Sequence, residues 1–227
     1  YRRQRQMCIR DSLIPVPFAI LISSLGDWIY QNPVVVDMNY LGEVTMHPIA
    51  DNLVSIFSMT ALLGFVLWRT TARNIPISDF GLLTLQKKDL LYGTIFLSLF
   101  IILEEIYMLA LGLEMPEGFI AFMLSEPLIL GIISVIIVAP IIEEFLFRGF
   151  LYSQLARTRL GRWGSVCLSS LLWTIIHFQY EPLILMVLFI FGIFLGYIRM
   201  AYNSLALPIA LHAVNNSFAF LMAYYFY

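Results

Sequence analysis

The chain has 227 residues, 60% of them hydrophobic and 12% charged, with a formal net charge of −2. Soluble globular domains carry about 25% charged residues, so this composition excludes an ordinary soluble domain and points to an integral membrane protein with no nucleic-acid partner. Two cysteines, Cys8 and Cys167, exclude a disulfide framework and a Cys-based metal site.

Residues 1–12 differ from the rest. They hold Arg2, Arg3, Arg5 and Arg10, and the chain does not open on Met. The stretch reads as a cloning or sequencing scar and is set aside from the fold. The apolar end, Tyr224 to Tyr227, reads as a second clipped edge. Residues 13–112 are expected to form N-terminal transmembrane helices. Residues 113–227 are expected to form a helical core that carries the chemistry.

A spanning helix needs ~20 mostly apolar residues. Such runs predict helices near 13–30, 52–68, 90–112, 127–155, 163–178, 182–199 and 204–226. The expected fold is therefore all-α, a polytopic transmembrane bundle of about seven spans with its polar site inside. The fourth run exceeds one span and contains Pro140, which predicts a kink there or an extension past the bilayer. Gly192 and Gly196 form a Gly-xxx-Gly pattern that predicts close helix packing.

Loop charge sorts the spans. Arg69, Arg73, Lys87 and Lys88 lie after the second, Arg157, Arg159 and Arg162 after the fourth, and Arg199 after the sixth. The alternate loops carry Asp37, Glu43 and Asp51, then Glu114, Glu117 and Glu126, then Glu181. The positive-inside rule puts the basic loops in the cytoplasm of a multi-pass cell-membrane protein. The long basic loop, 70–88, is expected to rest its apolar residues on the membrane surface. His47 reads as a solvated loop residue.

The polar residues in the late spans are the chemical signal. The run Leu128 to Ile142 holds no charge, and Glu143-Glu144-Phe-Leu-Phe-Arg148 follows it. A charge at membrane depth costs from ~2.5 to well above ~10 kcal/mol, so this cluster marks a functional site. Glu144 and Arg148, four apart, share a helix face and suit an ion pair. Glu143 points about 100° away and is left to take a proton. His177 ends the fifth span. His212 and Asn216, four apart, share a face of the seventh, and Asn215 is expected to point elsewhere. At ~1.5 Å per residue, Glu143, His177 and His212 lie ~21, ~22 and ~20 Å from their basic helix ends, which places them in one layer. Glu104 and Glu105 in the third span are a second acidic pair without a matching arginine. They are read either as a second polar contact or as a helix end.

Two Glu, two His and an Asn in one layer are equipped to activate water. A glutamate serves as general base, a histidine holds the water, and the other histidine and the asparagine donate to an oxyanion. Alternatively Glu143, His177 and His212 are candidate Zn²⁺ ligands that lower the water pKa directly. No Ser or Cys stands in a nucleophile motif, and His-Glu-xx-His is absent.

In order, Glu143-Glu144-xxx-Arg148, aromatic-xxx-His177 and His212-xxx-Asn216 resemble the CAAX-protease and bacteriocin-processing family (CPBP, or Abi) of intramembrane endopeptidases. The resemblance covers about residues 125–220. It implies Glu143 as base, Glu144 and Arg148 as its support, His177 on the water or metal, and His212 with Asn216 on the oxyanion. It also implies peptide or lipid-modified protein substrates at membrane lipid, for CAAX-type processing, bacteriocin maturation or self-immunity. The chain departs at Trp173, where the family usually has Phe; a larger indole is expected to narrow the cavity. Two other classes stand beside this reading: a proton-coupled transporter using Glu143 and Glu144, and a catalytically silent binding or immunity protein.

Overall fold

A computed structural model describes residues 36–38, 44–46, 48–81, 83–124 and 128–226. The expected scar (1–12), the first expected span (13–30) and His47 lie outside the described residues. The order is β1 (Val36–Met38), β2 (Val44–Met46), α1 (Pro48–Ala72), α2 (Lys87–Leu111), α3 (Glu117–Met123), α4 (Leu128–Leu155), α5 (Gly161–Ile175), α6 (Pro182–Tyr202) and α7 (Ala206–Phe226). The two strands pair antiparallel, Val36 opposite Met46. The rest of the described chain is a helical bundle.

Four helices, α2, α4, α6 and α7, are long and apolar enough to cross a membrane. The expectation of about seven spans is not reached among the described residues. The apolar part of α1, Ile56–Ala72, is shorter, and α5 has only 15 residues, or ~22 Å. α5 buries Ser165, Ser169, Ser170 and Trp173 against its neighbours, a face suited to protein rather than lipid. Gly192 and Gly196 let α6 approach it. A Cβ at Gly196 would lie 2.9 Å from Val166 Cγ1, and one at Gly192 would lie 3.1 Å from Ser170 Cβ.

Helix ends follow local chemistry. α6 starts with Pro182 in its first turn, where the missing N–H costs nothing. α2 ends at Gly112 with φ +63°, and α6 ends at Asn203 with φ +48°, both left-handed positions that Gly and Asn tolerate best.

α4 answers Pro140 with a change of register rather than a break. Two π-helical turns, Ile132–Val138 and Phe145–Leu151, flank the short α-helical stretch that carries Glu143 and Glu144. In the first, the Ala139 N–H donates to Ser134 O, five residues back. In that register Val135 O would take its hydrogen from residue 140, but proline has none. Asn216 of α7 supplies it instead, its Nδ2 donating to Val135 O at 2.8 Å. π-turns of this kind often sit at functional sites.

Two expectations about the basic end are corrected. The 70–88 segment does not lie on the surface along its whole length. Phe80 is fully buried and packs edge-on against Phe145 and Phe150, centroids 5.4 and 5.8 Å apart. Arg199, expected in the basic set that follows the sixth span, lies inside α6. It is buried there, donating through Nε to Phe80 O (3.0 Å) and through Nη1 to Asn203 Oδ1 (2.9 Å). Gly81, at φ +108°, is required there, because a Cβ would lie 2.7 Å from Arg199 Cζ.

Candidate active site

The central element is an ion pair. Arg148 Nη1 donates to Glu144 Oε1 at 2.9 Å, one helical turn apart, and both side chains are fully buried. Arg148 Nη2 donates to Gly192 O at 3.0 Å, a contact that the close α4–α6 approach makes available. Glu144 Oε1 also receives His212 Nδ1 at 2.9 Å. A carboxylate paired with arginine only accepts, so Nδ1 carries a hydrogen and Nε2 is the free face of the ring. That Nε2 lies 4.0 Å from Glu143 Oε2. The two carboxylates therefore differ in surroundings. Glu144 is locked behind the site, whereas Glu143 lines a cavity of about 750 Å³.

That cavity is also lined by Trp173, His177, His212 and Asn216. His177 does not sit on the helix, as the sequence suggested. α5 stops at Ile175, and His177 occupies the following turn, its backbone N–H on Thr174 O. Its Nδ1 lies 2.9 Å from Trp173 O. A carbonyl can only accept, so His177 Nδ1 carries the hydrogen and Nε2 is a bare acceptor. Asn216 shares the cavity with His212, with one Nδ2 hydrogen committed to Val135 O. Asn215, expected to face elsewhere, lines the cavity too, as do Glu104 and Glu105 of α2.

Sequence reasoning missed two contributors. Trp173 was expected only to take up space. Instead its indole N–H donates to Glu143 Oε2 at 2.6 Å. The ring also lies under the Arg148 guanidinium, 4.9 Å from Cζ. Nothing local in the sequence joins residues thirty positions apart, although the four-residue offset to His177 put Trp173 beside the site. Tyr180, in the α5–α6 loop, is the second. Its ring stacks on His177 with centroids 6.1 Å apart. Burial pushes its hydroxyl above the ordinary phenol pKa, a hydrogen bond with Gln179 opposes that, and the Glu143 charge adds to it.

A catalytic Zn²⁺ takes three protein ligands. Among the described residues no three His, Cys, Asp or Glu side chains are grouped to hold a metal ion. Glu143 and His212 adjoin, and among the described residues no third such ligand completes the set.

Residues 125–218 match the family model described as type II CAAX prenyl endopeptidase Rce1-like. Over that stretch, which is less than half of the chain, the sequence is similar to the Rce1-like family. The match is consistent with the CPBP resemblance read from the motifs. The Rce1-like segment contains Glu143, Glu144, Arg148, Trp173, His177, His212 and Asn216, and leaves Glu104 and Glu105 outside it. A curated relative, an uncharacterized 24.3 kDa protein of Escherichia coli, is 30% identical over 114 residues, 47% of this chain and 52% of that protein. The chain thus spans about half the length of the curated relative it matches. No solved structure matches the chain.

Proposed function

We propose that this protein is an intramembrane endopeptidase that hydrolyses peptide bonds of membrane-associated CAAX-type substrates, with Glu143 as general base. The observation that carries the reading is the pairing of Glu143 Oε2 with His212 Nε2 at 4.0 Å, inside the cavity and within the Rce1-like segment. A gap of about 4–4.5 Å admits one bridging oxygen atom, given ~2.8 Å hydrogen bonds.

A water held by Glu143 and the bare Nε2 of His177 attacks the scissile carbonyl carbon. Glu143 takes one of its protons as the carbonyl electrons move onto oxygen. His212 donates from Nε2 to that oxyanion, and the second Nδ2 hydrogen of Asn216 joins it. Collapse breaks the C–N bond, and Glu143 returns the proton to the leaving amine. Glu144 and Arg148 do not touch substrate; they hold His212 in place. The cavity wall includes Met59, Met108, Phe119, Phe122 and Met222, a lining suited to apolar or lipid-modified peptides. The protein is multi-pass, and Arg69, Arg73, Arg157, Arg159 and Arg162 set its cytoplasmic face.

The test is cleavage by the purified, liposome-reconstituted protein, followed by mass spectrometry of prenylated, unprenylated and bacteriocin-precursor peptides. Cleavage is expected, with Glu143→Gln lowering kcat by about 10³-fold or more, the scale for removing an essential proton-transfer group. Undiminished cleavage by that variant rejects the assigned base. Activity that survives chelation supports metal-free chemistry; loss that Zn²⁺ restores replaces it with the metal reading. Absent cleavage with pH-dependent flux moves the protein to the transporter class, and absent cleavage without flux to the silent class.

A further inference from the structure

Trp173 reaches several site residues at once. Its N–H holds Glu143 Oε2 at 2.6 Å, and its backbone carbonyl receives His177 Nδ1 at 2.9 Å. Its ring meets His177 and His212 edge-on, centroids 4.9 and 5.7 Å apart, and lies under Arg148. The side chain is 2% exposed. A Cβ at Gly192 would lie 3.3 Å from its Cε3, so the indole packs tightly against the bare backbone of that glycine.

We infer that Trp173 is the positioning residue for the hydrolytic water, orienting the base through its side chain and the facing imidazole through its main chain. This rests on the hydrolytic reading. A carboxylate rotates broadly about its last bond. An indole N–H can only donate, so it pins Oε2 and leaves Oε1 to accept the proton. His177 has no helix of its own to set its ring and takes its direction from the carbonyl one turn back. Base and imidazole thus share one mount. Small displacements of such groups cost up to about 100-fold in rate.

The kinetic test uses Trp173→Phe in the reconstituted full chain. The variant keeps an aromatic ring over Arg148 and removes the N–H. The expected result is a kcat lower by about 10- to 100-fold, with KM within about twofold and thermal stability close to wild type. Replacing Trp173 by its benzothienyl analogue, with sulfur in place of N–H, repeats the measurement with both rings kept and covers a Phe variant that does not fold. An unchanged kcat, or a KM that rises with the fall in kcat, overturns the inference.

A spectroscopic test is independent of activity. The chain has four tryptophans, so changing Trp28, Trp68 and Trp163 to Phe leaves one indole N–H resonance. Glu143→Gln is expected to shift that resonance, because a carboxamide is the weaker acceptor; no shift overturns the inference. A wild-type protein that cleaves nothing rejects the hydrolytic reading and this inference with it. A shifted resonance beside silent kinetics then shows the bond is real and that the chemistry assigned to it was the error.

Discussion

Arg148 and Arg199 are both buried, on neighbouring helices of one bundle, yet they are neutralised in different ways. Arg148 faces a carboxylate, Glu144. Among the described contacts of Arg199 are Phe80 O, Asn203 Oδ1 and the Tyr152 ring, 5.3 Å from its Cζ. An ion pair leaves a full opposite charge behind when one member is removed, whereas carbonyl and amide partners leave only dipoles. The first arrangement holds His212 at the candidate site through Glu144, and the second fastens a loop.

Breaking the first should cost more. Arg148→Leu strands the Glu144 carboxylate in the interior and loosens His212. Loss of one member of a buried pair costs about 3–5 kcal/mol. A large drop in denaturation midpoint is therefore expected, with cleavage abolished. Arg199→Leu should cost about 1–3 kcal/mol, the range for a buried polar group left without its partner. Cleavage should persist within a few-fold and proteolysis near residues 77–81 should increase. Equal losses of stability would dissolve the distinction. The smallest effect belongs to Arg157→Ala. Arg157 Nη2 meets Asp79 Oδ2 at 2.5 Å, but the side chains are 48% and 29% exposed, and solvent screening limits such pairs to about 0–1 kcal/mol. Its midpoint should scarcely move, and a shift comparable to that of Arg199→Leu would show that the loop is fastened at Asp79 rather than at Phe80.

The legible and illegible parts of the sequence divide by distance along the chain. Glu144 with Arg148, and His212 with Asn216, were readable because an offset of four is a local property of a helix. The register of α4 was not readable, since a proline announces a lost hydrogen bond without saying which register absorbs it. The burial of Arg199 depends on a loop segment 119 positions away that lends it a carbonyl. The contribution of Trp173 depends on tight packing of its indole against Gly192 of another helix. Among the described residues four helices have the length and apolarity of a span, fewer than the apolar runs suggested, for a related reason. An apolar window does not separate a helix in lipid from a shorter one, such as α5, whose serines face protein. Glu104 and Glu105 share a cavity with the site although α2 offers no motif, because tertiary packing alone brings them there.

The Val135–Asn216 bond has a consequence for how this bundle tolerates change. The amide hydrogen missing at Pro140 creates a demand on one helix that a carboxamide on another fulfils. Those two positions are therefore not free to vary separately. Giving residue 140 an N–H of its own would release Asn216 from service to α4, and a double-mutant cycle between them should return a non-zero coupling energy.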